Sequence, residues 1–354
     1  MTYPAYRRAQ LEALVEAQGA SRATPPLLLP ANPYFDLAGE EFGRRLLLTT
    51  DVTGAEHCLR PDFTLPIVTD YIASGVGRPA AFSYLGPIFR QRETGAAQFD
   101  QAGVELLAQP DGDVALDQVL TFARAALSIY GVAPQVRLGG VGLFEALLAQ
   151  AEMPDAWRPR IRNRFGHTEA LERLLARLEQ APELPRSAQP RREDLVEDVT
   201  ARMVTSGLSL SDGRTPDEIA DRFLEQQALE ADHVPAATLK LLRDYLAISG
   251  PVLQALTQVE ALAATHRLML GAPVRAIRRH LRGLGEAQIT FDASFSPRLD
   301  YYTGIVFEMA GASGEVLASG GQYDRLLERL GATAPIPASG CAVWVDRLEA
   351  EVGA

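Results

Sequence analysis

The chain has 354 residues, 47% of them apolar and 22% charged, with a formal net charge of −11. That length buries a large core and admits two or three domains, while the acidic balance disfavours a polyanion such as RNA as a partner, because phosphate neutralisation needs clustered Lys and Arg. No apolar run approaches the roughly 20 residues a membrane helix needs, and no charged-then-apolar leader pattern is present, so a cytoplasmic chain with no membrane partner is expected.

Residues 4–18 space Tyr6, Leu11, Leu14 and Val15 as an amphipathic helix. The prolines between Pro25 and Pro30 then force a short extended piece. Residues 45–50 and 57–60 read as two strands about a turn at 51–54. Arg60-Pro61-Asp62-Phe63-Thr64-Leu65-Pro66 follows as a stiff loop. Asp62 and Thr64 there are placed to meet one ligand, or Thr64 caps a helix over 66–74, the more ordinary job. Residues 81–90 form a strand ending at Arg90, 91–97 a polar loop, and 98–107 the returning strand. On that strand Phe99, Gln101, Gly103 and Glu105 share one face. An amide and a carboxylate flank a glycine that leaves the space between them open. Such a lining suits a small polar ligand, and equally a polar edge strand with a packing glycine. A helix over 113–130 follows, with Val114, Val119, Phe122, Ala126 and Ile129 on its buried side, then a strand at 135–139 and a helix from Leu143.

After about residue 150, Pro154, Pro159, Pro182, Pro185 and Pro190 punctuate helical pieces. The pattern predicts a mostly helical insertion over 151–240, in which Arg158, Arg160, Arg162 and Arg164 form a solvated basic face. Residues 1–150 and 241–354 then make one discontinuous core. Its second part reads as helices over 250–266 and 274–281, strands at 288–293 and 305–309, a tight glycine turn at Ser319–Asp324, a helix over 325–330, a small-residue strand through Val343, and a final helix carrying Arg347.

The common catalytic motifs are missing: there is no GxSxG, no HExxH and no GxxxxGK[ST]. His57, His167, His233, His266 and His280 are scattered, and read as surface or packing residues. Cys58 and Cys341 lie far apart without a CxxC partner, which argues against a zinc centre or a disulfide framework. The informative set is Asp62, Thr64, Arg90, Gln101, Glu105, Tyr301, Tyr302 and the Gly320-Gly321 pair. Carboxylates for an ammonium, an arginine for an anion and phenols for a polar ring describe a pocket for an amino acid with a heteroaromatic side chain.

These segments resemble the core of the class II aminoacyl-tRNA synthetases, specifically histidyl-tRNA synthetase. Arg60-Pro61-Asp62-Phe63-Thr64 is similar to that family's Arg-Pro-Glu-Gly-Thr, and Tyr84 to Arg90 to its motif 2 strand. Gln98 to Glu105 resembles the strand returning from motif 2, and Leu299-Asp300-Tyr301-Tyr302 matches the family's Leu-Asp-Tyr-Tyr. Ser319-Gly320-Gly321-Gln322-Tyr323-Asp324 resembles Ser-Gly-Gly-Arg-Tyr-Asp, and Arg347 stands where motif 3 carries its arginine. The departures bear on chemistry. Pro297 stands where the family has the arginine that activates the substrate carboxylate, and Arg298 is displaced by one position, which in an extended segment reverses the side chain's face. Losing a preorganised cation at developing charge costs about 3–4 kcal/mol of transition-state stabilisation. The loop 91–97 is shorter than the synthetase's, Gln322 replaces an arginine, and no anticodon-binding domain is expected after motif 3.

A core with histidine ligands but without the activating groups resembles the synthetase's paralogues, the regulatory subunits of ATP phosphoribosyltransferase. The resemblance implies an α+β fold, a mainly antiparallel sheet flanked by helices and interrupted by the helical insertion. It implies a non-catalytic subunit without cofactor that activates a short-form catalytic subunit of histidine biosynthesis. Its other partners would be a second copy of itself, as a dimer within a hetero-octamer, and L-histidine as feedback inhibitor, with no tRNA. Carried over, Asp62, Thr64 and Gln101 hold the α-ammonium group, and Glu105 and Tyr302 the imidazole. Arg90 and Tyr301 line the same site, with Arg298, Gly320 and Gly321 as further candidates. Retained Arg90 and Arg347 keep an alternative open: a truncated synthetase-like enzyme that adenylates histidine or a related amino acid.

Overall fold

The hairpin predicted around residue 95 forms along its full length: Ala80–Phe89 pairs antiparallel with Gln98–Leu107, Ala80 opposite Leu107 and Phe89 opposite Gln98. The structure, a computed structural model, describes residues 5–75, 77–93, 95–180, 191–206, 215–231, 233–284, 288–297 and 301–353, with the backbone alone for 5, 36–41, 225–231 and 283. It divides into two units, Met1–Leu147 with Tyr245–Ala354, and Leu148–Asp244.

In the first unit that hairpin belongs to a nine-stranded sheet. Its order is Ser21–Arg22, Ala80–Phe89, Gln98–Leu107, Ala338–Trp344, Val316–Gln322, Ile305–Ala310, Gln135–Gly140, Gln288–Asp292, Ser249–Pro251. All neighbours run antiparallel except Ser21–Arg22 with Ala80–Phe89 and Gln135–Gly140 with Gln288–Asp292, so the sheet is mainly but not wholly antiparallel. A separate three-stranded sheet is built from Leu28–Pro30, Glu56–Leu59 and Leu48–Thr50.

Helix Gly112–Ile129 covers the sheet's centre, touching Gln98–Leu107, Val316–Gln322 and Ala338–Trp344. Asp111 starts it: its side chain accepts from the backbone N–H groups of Asp113 at 2.9 Å and Val114 at 3.1 Å. Leu116, Val119, Leu120, Ala123 and Leu127 recur at helical spacing on the buried face. Val114, expected on that face, is 51% exposed, because it sits in the first turn beside the stripe rather than in it. The helix Asn32–Gly43, which the sequence reading did not foresee, begins with Pro33 in its first turn and contains two glycines that hide its periodicity.

Two further expectations are corrected. Gly320 and Gly321 do not form a turn; they lie inside the central strand Val316–Gln322, opposite Cys341 and Gly340 on one side and Phe307 and Val306 on the other. A Cβ on Gly320 would strike the Gly340 carbonyl and Cys341, so the pair is small because neighbouring strands leave no room. In the second unit, Arg158 is no solvated charge. Its guanidinium donates to the carbonyls of Leu148, Ala151 (3.0 Å) and Met153 (3.4 Å), closing the end of a helix. That unit is helical, with Trp157–Arg162, Thr168–Gln180, Arg192–Thr205, Pro216–Ala231 and most of Ala236–Leu246. Thr168–Gln180 buries Leu171, Leu174, Leu175 and Leu178, while Glu179 on its outer face pairs with Arg243 at 2.7 Å.

No described helix is long and apolar enough to cross a membrane. Replacing Asp111 by Ala removes the acceptor for two helix N–H groups and is expected to cost about 1 kcal/mol, read as a lower denaturation midpoint in urea with an unchanged slope.

Candidate functional site

Glu105 is 1% exposed, and its carboxylate is held from three elements. Thr64 Oγ1 donates to Oε1 at 2.5 Å, Tyr84 Oη lies 3.2 Å from the same oxygen, and Tyr323 Oη donates to Oε2. Tyr84 Oη also lies 3.1 Å from the Cys341 carbonyl, so its single proton is shared between two acceptors. The carboxylate lies over Gly340, where any Cβ would collide with Oε2.

The sheet register explains the arrangement. Tyr84 is opposite Gly103 and Glu105 is opposite Gly340. The space beside Gly103, expected to be open, is filled by Tyr84, whose ring occupies the position a Cβ would take. Phe63 stacks on Tyr84 (centroids 4.4 Å apart, planes 7° apart), and the Arg60 guanidinium lies 4.1 Å from the Phe63 centroid. Arg60 is buried and donates to the carbonyls of Pro25 and Pro87, the latter at 2.7 Å, so it braces the loop.

Thr64 does not cap its helix. Thr64–Ala73 starts at Thr64 itself with Phe63 at the N-cap, and Asp62, one residue earlier, accepts from Leu65 N through Oδ1 at 3.0 Å. This frees the Thr64 hydroxyl for Glu105 and leaves Asp62 Oδ2 available. Burial raises the Asp62 pKa, with Arg90 the main opposing influence. Arg90 is fixed through Nε to the Pro61 carbonyl at 2.7 Å, and among the described residues its two Nη groups take no partner. Gln101 is 2% exposed, and its Oε1 takes no hydrogen bond.

Three phenols stand together near Glu105: Tyr301 and Tyr302 at 5.3 Å between centroids, and Tyr323 edge-on to both at 6.1 and 6.5 Å. Burial raises the pKa of all three, so they are neutral donors at physiological pH. Thus Asp62, Thr64, Arg90, Gln101, Glu105, Tyr301 and Tyr302 come from distant segments to one region. Gly320 and Gly321 contribute backbone in the sheet, and Arg298 lies outside the described residues. Tyr84 and Tyr323, absent from the predicted set, both bond the central carboxylate. The signal for Tyr84 was its register with Gly103, which requires the strand pairing to be known.

Of the arginines at the motif 2 and motif 3 positions, Arg90 keeps both Nη groups free among the described residues and Arg347 is engaged internally. Arg347 donates to the Val316 carbonyl at 2.6 Å and pairs with Glu315 at 3.0 Å. Arg92 pairs with Asp346 at 2.5 Å across the Phe99 ring. Gln322, in place of an arginine, turns its side chain to accept from Ile305 N at 3.0 Å. No group of three or more His, Cys, Asp or Glu that would hold a metal ion occurs among the described residues. Both cysteines are buried and free.

The family model for histidyl-tRNA synthetase matches residues 5–198 and 221–348. ATP phosphoribosyltransferase regulatory subunits of Brucella ovis and Brucella canis are each 38% identical over 372 aligned positions, covering 99% of this chain and 98% of theirs. A Bacillus halodurans structure described as an ATP phosphoribosyltransferase regulatory subunit/histidyl-tRNA synthetase superposes with a TM-score of 0.67 at 21% identity, over 98% of this chain and 78% of that one. A histidine–tRNA ligase subunit from Alicyclobacillus acidocaldarius gives 0.57 at 26% identity, over 99% and 94%.

Burial pushes the Glu105 pKa from 4.5 up to about 8, against the lowering effect of its hydroxyl donors. An acid whose folded-state pKa is raised binds more protons folded than unfolded. Its contribution to stability is therefore full below about 4.5 and is lost as pH rises through about 8. The melting temperature of the unliganded chain is expected to fall across that window, and Glu105→Gln to flatten this part of the pH profile.

Proposed function

Because the chain belongs to the family of ATP phosphoribosyltransferase regulatory subunits, a branch of the histidyl-tRNA synthetase fold, we propose that it binds L-histidine and uses it to control a short-form catalytic subunit. The observation that carries this reading is the Gln101 amide, whose buried Oε1 takes no protein donor. An unsatisfied buried acceptor costs about 1–3 kcal/mol, a cost that an ammonium donor removes. Asp62 Oδ2 and the Thr64 hydroxyl oxygen supply the other acceptors for the same group. At the far end Glu105 faces one imidazole nitrogen and Tyr302 the other, an acceptor and a switchable donor for a ring that has one of each.

Control requires that histidine bind the active and inhibited forms of the assembly with different affinity. The Glu105 cluster suits that role because it joins helix Thr64–Ala73, strand Gln98–Leu107 and the start of helix Asp324–Arg329. A ring that competes for the carboxylate loosens or tightens three elements at once. The internal engagement of Arg347, with Pro297 in place of the activating arginine, favours regulation over adenylation. The self-partner is proposed to dock on the three-stranded sheet, where Leu27, Leu28 and Leu48 are about half exposed. tRNA is proposed to be no partner.

The test uses the purified chain with its catalytic partner. The expected result is stimulation of phosphoribosyl transfer, suppression of that stimulation by histidine, and histidine-dependent ATP–pyrophosphate exchange at background. Gln101→Leu should keep the stimulation and weaken histidine suppression about tenfold or more. Exchange well above background would establish an adenylating enzyme instead.

A further inference from the structure

Tyr34 is a buried tyrosine that the predicted ligand set does not contain. It lies on helix Asn32–Gly43, is 2% exposed, and its hydroxyl takes no hydrogen bond. Its ring lies parallel to Phe42 (6.2 Å, 14°), and the Phe42 ring faces the Arg90 guanidinium at 4.9 Å. One helix thus delivers Tyr34 and Phe42 to Arg90's side of the site.

The site has two poles. Tyr84, Tyr301, Tyr302 and Tyr323 all feel the Glu105 carboxylate. Tyr84 and Tyr301 feel Asp62 as well, whereas the groups acting on the Tyr34 hydroxyl are Asp62, Cys58, Arg90 and Arg60. At the Glu105 pole, Thr64, Tyr84 and Tyr323 have their donors committed. At the Asp62 pole two donors are uncommitted: the Arg90 Nη groups and the Tyr34 hydroxyl. An amino acid that places its ring at the first pole brings its charged head to the second. Its ammonium has acceptors in Asp62 and Gln101. Its carboxylate needs donors, and Pro297 replaces the arginine that the synthetase pattern would supply.

We propose that Tyr34, with Arg90, binds the α-carboxylate of the amino acid and so makes the site selective for the zwitterion over its decarboxylated amine. This rests on the histidine reading and extends it to a residue outside the expected set. A phenol donor beside a guanidinium forms a charge-assisted pair of bonds to a carboxylate. Such bonds carry discrimination, since a ligand without the anion leaves both donors unpaired.

The test is calorimetry on the full chain, wild type and Tyr34→Phe, titrated with L-histidine and with histamine. Tyr34→Phe removes a hydroxyl without a protein partner, so the unliganded variant is expected to melt no lower than the wild type. Its affinity for histidine should fall about tenfold or more, and its affinity for histamine should change by less than about twofold. In the wild type, an isotope-labelled Tyr34 Cζ resonance should move on adding histidine and stay in place with histamine. Unchanged histidine affinity in Tyr34→Phe, or equal losses for both ligands, overturns the proposal while leaving histidine binding intact. A wild type that binds neither ligand overturns the histidine reading itself, and this proposal with it.

Discussion

A carboxylate removed from water and surrounded by hydroxyls is the constraint on which the site depends. Glu105 is buried deeply enough to raise its pKa to about 8, and burial of such a group is tolerable only with good hydrogen bonds. Thr64, Tyr84 and Tyr323 provide them. Each comes from a different place: the first turn of a helix, the neighbouring strand, and the residue before a short helix. Satisfying one acid therefore fixes the relative position of three elements. The small residues follow from the same requirement. Gly103 makes room for Tyr84, and Gly340 makes room for the carboxylate.

Much of this was legible as local pattern. The alternation of Gln101, Gly103 and Glu105 put the amide and the acid on one face, and the strand carries them there. The segment from Arg60 to Thr64 marked a ligand loop, and its residues reach the site. The misreadings share one cause, which is that a residue's job depended on a partner far away in sequence. Thr64 looked like a cap because nothing nearby needs its hydroxyl; its partner is Glu105. Gly320-Gly321 looked like a turn because glycine pairs usually are, whereas here adjacent strands exclude side chains. Arg158 looked like surface charge, yet it closes a helix end through backbone carbonyls that spacing alone does not reveal. Tyr34 could not be chosen from sequence at all, since helix Asn32–Gly43 itself went unrecognised.

The relationship to synthetases becomes physically specific at the arginines. Cations at a nucleotide-activating site must present free donors to a phosphate. Arg347 spends its donors on Val316 and Glu315. Gln322 spends its amide oxygen on the Ile305 backbone. At the Arg347 and Gln322 positions, groups that would polarise a phosphoanhydride have become bracing for the sheet and the last helix, while the groups suited to an amino acid stay available. Binding without turnover is the behaviour expected of a sensor.

The row Glu105–Gly340–Gly321 runs straight across three adjacent strands. Two of its three members have no side chain, so the floor beneath the acid is bare backbone. Its breadth is set by interstrand spacing, about 4.8 Å per step, and not by any residue that mutation can lengthen or shorten. A descendant of this chain that acquired a taste for a larger or smaller metabolite would have to rewrite its walls, the tyrosine-bearing segments, because the floor offers selection nothing to carve.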